Sequence, residues 1–424
     1  MIKTVYSWNP VYNFIMDIVD KANEAKIKID GSILFKEVVN IVGSEEQKKI
    51  ASILQFNQNG NLLLVRYGNY SNIFSGEIDI NMDNMWDIFG GFYKECRSLV
   101  VDLANKIIVL CPFKKFRNLN EGEENSLKNI QKRISECKSF EISDKLEGSM
   151  QSATWYEDSV VMSGSQAIDM NDSWRLKDGY EKLMSQKNYV KMLKNHPGFT
   201  FIFEYISLED AHVVKYTKEQ EGLYLIGIRC NLNGKQSSYI EVIDIADIYG
   251  IKTTKIFDKT LDDVLRDIKI YSSDKKEGFV LNIDGFMVKV KCDDYVQIHK
   301  TISSLSSTNG IIKAIADDTF DDFISKVPEA YKERILKVSR KVYKYIYDTD
   351  KTVKSYYYDG LKQTEGNGCL LKDFMIYVDK NVPKELQGYV RNEYFHQINN
   401  YIKSRGKCPH YKNMNEMGLN DENE

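Results

Sequence analysis

Lys145 stands in the string Ser143-Asp144-Lys145-Leu146-Glu147-Gly148-Ser149. Phe140 and Ile142 alternate with polar neighbours upstream, which predicts a half-buried strand that delivers Lys145 to its end, just before a Gly148-Ser149 turn. A lysine amine at a strand end, beside a glycine where a phosphate can approach the backbone, suits covalent nucleotidyl transfer. At pH 7 only about one free lysine in 2500 is an amine, a cost near 4–5 kcal/mol. Neighbouring cations are expected to lower that cost, because they disfavour the ammonium form. Lys289 and Lys291, two apart on a predicted strand, point to one face, and a triphosphate between them would relieve their repulsion. Arg97 offers a bidentate fork to phosphate, and Lys115 a point charge. Glu204 and Glu277 complete the charged set.

Strands must position most of these groups. Residues 95–102 and 106–111 read as a hairpin ended by Pro112, and 150–156 with 159–163 as another. Residues 199–206 form an aromatic-rich strand. Residues 223–230 and 237–242 read as strands around Asn233-Gly234, and 277–283 with 286–291 as a hairpin across Asp284-Gly285. An Asn-Gly turn leads into a strand at 61–67, and a polar connection follows to Gly91. Residues 1–60 read as helical, with apolar residues at helical spacing in 11–18 and 33–42. A helix is expected over 173–195, capped by Ser173, and a short one over 261–270. Strand signals stop after Asp293, so helices are expected to the end, with a domain boundary near 303–310.

The chain has 424 residues, which sets a prior of two or three domains, and 42% are hydrophobic. Net charge is −3, so any nucleic-acid contact must come from local basic patches. Seven cysteines form no Cys-x-x-Cys pair, and Cys408 with His410 lacks the partners of a zinc site. No apolar run approaches the roughly 20 residues of a membrane span. The expectation is a cytoplasmic protein with reduced thiols and no membrane association.

In order and spacing, this set resembles the covalent nucleotidyltransferase superfamily of ATP-dependent RNA and DNA ligases and capping enzymes. Lys145–Ser149 looks like motif I, Phe203-Glu204-Tyr205 like motif IIIa, Glu277-Gly278-Phe279-Val280 like motif IV, and Val288–Lys291 like motif V. The closer likeness is to the phage-type RNA ligase 1 family. It rests on Glu95-Cys96-Arg97, the Pro-x-x-Lys-Phe-x-Asn-Leu-Asn run at 112–120, and Asp294-Tyr295-Val296. The resemblance implies an α+β fold: an ATP-grasp-like nucleotidyltransferase domain of antiparallel sheets at 61–305, with 1–60 as its helical part, then an all-α domain at 306–424. It implies a reaction in which Lys145 takes AMP from ATP, passes it to an RNA 5′-phosphate, and the RNA 3′-hydroxyl then displaces AMP. Catalytic roles fall to Lys145, Glu277, Lys289 and Lys291, with Glu277 also near a Mg²⁺ or Mn²⁺ ion. Nucleotide contacts fall to Arg97, Lys115, Glu147, Gly148, Glu204, Gly278, Val280 and Tyr295, with Phe203 packing the base. RNA repair of nicked tRNA, beside a separate end-healing kinase-phosphatase, is the implied setting; for a viral chain the location would be the host-cell cytoplasm.

Three positions depart from the family pattern. Glu147 replaces an aspartate, Ser163 replaces a basic residue two before Ser165, and Arg117 replaces an aromatic. Glu147 and Ser163 keep a second reading open, an inactive nucleotidyltransferase that binds RNA. DNA ligases and GTP-using capping enzymes usually carry a β-barrel after motif V, whereas here helices follow. In that helical part Arg334, Lys337, Lys341 and Lys344 share one stripe, with Tyr331, Tyr343, Tyr345 and Tyr347 interleaved, a pattern that could meet RNA phosphates and bases.

Overall fold

Asn9 caps the first helix, α1 (Pro10–Glu24), by accepting hydrogen bonds from the backbone of Val11 and Tyr12. This is seen in a computed structural model that describes residues 5–29, 33–68, 91–210, 212–317, 319–364 and 371–395. Helices α2 (Phe35–Val42) and α3 (Glu45–Ile53) follow. The N-terminal stretch is not helical throughout: Leu54–Asn59 forms strand β1, paired antiparallel with β2 (Leu62–Tyr67). Leu54 and Phe56 alternate with Gln55 and Asn57, so period two wins once a partner strand is present. The connection expected from 68 to 91 lies mostly outside the described residues.

After a single turn, α4 (Phe92–Glu95), strands β3 (Arg97–Asp102) and β4 (Ile107–Leu110) complete a four-stranded sheet of order β1-β2-β3-β4. One face of it packs on α1–α3 through Ile15, Val38, Leu63, Val65 and Leu99. Helix α5 (Leu127–Glu136) and strands β5 (Phe140–Lys145), β6 (Ser149–Tyr156) and β7 (Ser159–Gly164) come next. The helix expected over 173–195 is two helices, α6 (Trp174–Ser185) and α7 (Lys187–Asn195), separated by extended Gln186. The break resets the helical phase, so that Leu183 and Tyr189, six residues apart, reach the same core.

Strands β8 (Phe199–Ile206) and β9 (Gly222–Cys230) close a second sheet, β7-β6-β8-β9. The expected strand at 237–242 is instead the start of helix α8 (Tyr239–Tyr249), because Ser238 and Glu241 form a reciprocal capping box. Helix α9 (Leu261–Asp267) precedes β10 (Gly278–Ile283) and β11 (Phe286–Lys291), which make a third sheet of order β11-β10-β5. Its apolar face, with Ile142, Phe279, Leu281, Val288 and Val290, packs on α5 and α9. Its other face meets the second sheet, and Val280, Met287, Ile202 and Phe113 form the contact.

A buried ion pair ties α4 to β9. Arg229 donates to both oxygens of Glu95 at 2.9 Å, and to the carbonyls of Pro112 and Gly234. Removing one partner strands a buried charge, so Glu95→Ala is expected to destabilise the protein by about 3–5 kcal/mol. Urea unfolding would measure this, and adding Arg229→Met should recover much of the loss.

The chain divides into two compact units, residues 1–295 and 296–424. The division falls in the first turn of α10 (Asp293–Leu305), earlier than the boundary expected near 303–310. The second unit contains α11 (Thr308–Ala316), α12 (Phe320–Lys326), the 36-residue α13 (Glu329–Thr364), α14 (Leu371–Asn381) and α15 (Lys384–Tyr394). Its cores form around Ile311, Phe320 and Ile335, and around Val353, Phe374 and Val390. Cys408 and His410 lie outside the described residues. No described helix is long and apolar enough to cross a membrane.

Candidate active site

Register places the site at one end of the third sheet. Gly278 pairs with both Lys145 on β5 and Lys291 on β11, so Glu277, one residue earlier, sits between two lysines. Lys145 Nζ donates to Glu277 Oε2 at 3.0 Å, and Lys291 Nζ lies 3.0 Å from Glu277 Oε1. On the sheet's other face Lys276 pairs with Asp144, each one residue before a member of the first pair. Its ammonium also lies 4.3 Å from the Phe279 ring centroid. Two ion pairs in adjacent register thus fix Glu277 on Lys145.

Lys145 is not activated in the expected way. Burial pushes its ammonium down and Arg97 works in the same direction, but Glu277 and Glu204 outweigh them and hold it above the ordinary lysine range. Burial pushes Glu277 up, yet Lys145 and Lys291 hold it below the usual carboxylate range. Lys145 must therefore leave Glu277 and lose its proton before it can attack.

The second sheet supplies the facing wall. Phe201, Phe203 and Tyr205 of β8 point into the helix-covered core, so Glu204 and Ile202 point the other way. Phe203 is fully buried, its ring centroid 5.9 Å from that of Tyr189, and it cannot pack a base. The aromatic on the site side is Phe116. Its ring has the Arg97 guanidinium 5.4 Å away and Lys289 Nζ 4.7 Å away. Glu204 accepts no hydrogen bond from any described residue. Its pKa is pushed up to about 7 by burial and by Glu277, against the pull of Lys145, Arg97 and Lys289.

Arg97 reaches the site because β3 is irregular. The next residue, Ser98, has φ +65°, and the register with β2 slips between Val65 and Arg66. The slip turns Arg97 away from the face on which Leu99 and Val101 meet the helices. Ser98 Oγ donates to the Ser165 carbonyl at 2.8 Å, which holds this strained residue. One Arg97 guanidinium nitrogen is buried with no hydrogen-bond partner, an orphan donor that an anionic ligand would satisfy. Lys289 forms no ion pair among the described residues. Burial pushes its pKa down to about 6, helped by Arg97, Lys115, Lys145 and Lys291. Lys115 donates to Tyr67 Oη at 3.4 Å.

The three departures have structural accounts. Glu147 accepts from the backbone of Val213 and Val214, at 2.7 Å for Val214, and from Tyr295 Oη at 3.1 Å. Its own backbone donates to Tyr216 Oη at 2.9 Å. Both Glu147 and Tyr295 are thus engaged in a clasp on the 213–216 segment. Glu147→Asp, the family residue, would fall one methylene short of those amides; it is expected to destabilise the protein by about 1–2 kcal/mol in denaturant titration. Arg117 is buried, its Nε 3.6 Å from Glu121. Ser163 lies buried in the second sheet opposite Ser152, and neither hydroxyl has a partner.

Gly148 lies so close to β8 that a Cβ there would sit 2.5 Å from the Tyr205 carbonyl oxygen, so the turn after Lys145 admits only glycine. Val280 packs between the sheets rather than on open surface. For a metal, no three His, Cys, Asp or Glu side chains gather among the described residues. Glu277, the expected ligand, has both oxygens on lysines, which leaves Glu204. A divalent ion would take most of its ligands from nucleotide phosphates and water. In the second unit Arg334, Lys337 and Lys344 are exposed on α13, Lys341 is half-buried, and Lys344 pairs with Asp348 at 3.2 Å.

Sequence reading missed Phe116 as the site aromatic, the Asp144–Lys276 pair, and the Arg229–Glu95 bond. An arginine inside the apolar run Leu-Ile-Gly-Ile-Arg-Cys was the available signal, since a charge there demands a buried partner.

Residues 95–295 match the protein family described as RNA ligase. The chain is similar in structure to an RNA ligase of Naegleria gruberi, solved as a mutant with ATP and Mn. That likeness has 18% identity and a TM-score of 0.33, covering 41% of this chain and 55% of that one. The same ligase with PPi gives 19% identity and a TM-score of 0.32, covering 40% and 55%. An archaeal ATP-dependent RNA ligase gives 14% identity and a TM-score of 0.43, covering 72% of this chain and 81% of that one. This chain thus spans about half the length of the Naegleria ligase.

Proposed function

We propose that this chain, whose residues 95–295 match the RNA ligase family, is an ATP-dependent enzyme that seals RNA 5′-phosphate and 3′-hydroxyl ends. The observation that carries the reading is the Lys145–Glu277 pair at the mouth between two sheets, with Arg97 and Lys289 beside it and neither of them ion-paired among the described residues.

The chemistry is three displacements at phosphorus. The Lys145 amine attacks the α-phosphorus of ATP, the bond to the β-phosphate oxygen breaks, and pyrophosphate leaves. An oxygen of the RNA 5′-phosphate then attacks the lysyl-AMP phosphorus, and the Lys145 amine is released. Finally the RNA 3′-hydroxyl attacks the 5′-phosphate, and AMP leaves as the ends join. Arg97, Lys289 and Lys291 offset the charge that builds on the phosphates, so the protein works mainly by position and electrostatics. Glu204 is placed to accept from ribose hydroxyls. A bound Mg²⁺ or Mn²⁺ would supply further charge neutralisation at the phosphates.

Repair of nicked tRNA, in the cytoplasm and with a separate end-healing enzyme, is the setting we favour. The basic face of α13, with Arg334, Lys337, Lys341 and Lys344, is the candidate RNA contact there. The test is ATP with a 5′-phosphorylated oligoribonucleotide bearing a 3′-hydroxyl. Adenylylated RNA and a sealed product are expected, with far less product from DNA or with GTP. RNA left unchanged by a protein that carries AMP would refute sealing, and a folded protein that takes no AMP would favour the inactive, RNA-binding reading.

A further inference from the structure

A second cavity of ≈ 600 Å³ lies between edge strand β1, the start of α2 and the loop after β7. Its size suits one nucleotide. Its wall is mixed: the amides Gln55, Asn57, Gln58 and Gln166 and the cation Arg66 line it beside apolar residues that include Phe35 and Phe56, and Asn57 donates to the one carboxylate there, Asp172, at 3.0 Å. Gln58 Nε2 bonds the Gly60 carbonyl at 2.9 Å, whereas its Oε1 is buried with no partner. Arg66 is half-buried, and no described residue forms a hydrogen bond or ion pair with its side chain. Burial disfavours its charge, which an arginine nevertheless keeps. An anion beside it would offset that cost.

The place in the fold ties this cavity to the active site. Arg66 pairs with Arg97 across the β2–β3 ladder, at the slip that turns Arg97 toward Lys289 and Glu204. Gln166 follows Ser165, whose carbonyl holds the bulge residue Ser98. Two arginines on neighbouring strands thus lead from the adenylylation site into a cavity whose lining includes four amides and the rings of Phe35 and Phe56. Amides pair with base edges, an aromatic face stacks on a base, and a guanidinium takes a phosphate.

We propose that this cavity holds a nucleotide of the RNA strand adjacent to the ends being joined, with its phosphate on Arg66 and its base against Phe56 and the amides. The inference rests on the RNA ligase reading and assigns that reading a substrate subsite. Because the cavity is separate from Lys145, Arg66 acts on RNA and not on transfer of AMP to the enzyme.

The experiment measures fluorescence anisotropy of a labelled, 5′-phosphorylated oligoribonucleotide across a range of KCl concentrations, with the full chain. Arg66→Ala should weaken binding about tenfold and reduce the slope of log K against log salt by about 0.7, the loss of one single-strand phosphate contact. Gln58→Leu should weaken binding with no change of slope, and Arg66→Lys should restore the slope. Unchanged affinity and slope in Arg66→Ala would overturn the subsite. If that variant fails to fold, Gln58→Leu and Arg66→Lys decide the matter, and wild-type affinity in both would be the overturning result. Lysyl-AMP formation without RNA is measured on the same preparations. A wild type that takes no AMP would refute the ligase reading on its own, while the binding data still decide the cavity. Loss of AMP transfer in Arg66→Ala, in step with RNA affinity, would place Arg66 in the ATP site and contradict the proposal.

Discussion

Gly278→Ala is expected to lower lysyl-AMP formation at least a hundredfold. A Cβ at this position would lie 2.2 Å from the Val290 carbonyl oxygen and 2.7 Å from Lys291 Cα, both backbone atoms with no room to yield. The residue also has φ +156°, a conformation that side chains resist. Relief would have to come from β10 moving away from β11, and Glu277 would move with it, off both Lys145 and Lys291. A displacement of about 1 Å at reacting groups can cost a hundredfold in rate. Strain of this kind should also cost about 1–3 kcal/mol of stability. Single-turnover adenylylation and urea unfolding of the same variant separate the two effects. Wild-type AMP transfer would show that the spacing of Glu277 on the two lysines does not matter.

Lys289→Met is expected to remove a proton uptake that accompanies ATP binding, and to slow AMP transfer by about 10²–10³-fold as a transition-state cation is lost. With its pKa held near 6 by burial and by four neighbouring cations, Lys289 is mostly neutral at pH 8 before ATP arrives. Phosphate oxygens beside it favour the ammonium form, so a proton is drawn from solvent as the nucleotide binds. Calorimetry in two buffers of different ionisation heat should detect uptake approaching one proton between pH 7 and 9, absent in the variant. The same shift has a stability consequence. The unfolded lysine titrates near 10.4, so between about pH 6 and 10 the unfolded chain binds more protons than the folded one. Stability of the nucleotide-free protein therefore gains from this group as pH rises through that window, and Lys289→Met should flatten the rise.

The groups on strands were the legible ones. Lys289 and Lys291 are read onto one face because a period of two leaves little freedom once one member is placed. The partner of Lys145 was less accessible: that Glu277 holds it as an ammonium depends on the 145–278 register, which no local pattern encodes. Phe203 was a wrong choice of face: Phe199, Phe201, Phe203 and Tyr205 share one phase of β8, opposite Glu204, and that aromatic phase is the one that meets the core. The 237–242 segment was misread because Tyr239, Ile240 and Val242 are strand-favouring residues after an Asn-Gly turn, while the Ser238–Glu241 capping box decided for a helix. Arg97 needed the most tertiary information, for its direction is set by a bulge at Ser98 that is held by a carbonyl far along the chain.

The central claim is that Lys145 carries AMP. Incubation with α-³²P-labelled ATP and a divalent metal, followed by a denaturing gel and peptide mapping, tests it most directly. The account predicts label on the peptide that contains Lys145, released by acid as expected of a phosphorus–nitrogen bond, and none in Lys145→Ala. Label that persists in that variant, or a folded wild type free of prior AMP that takes none from ATP, would contradict it.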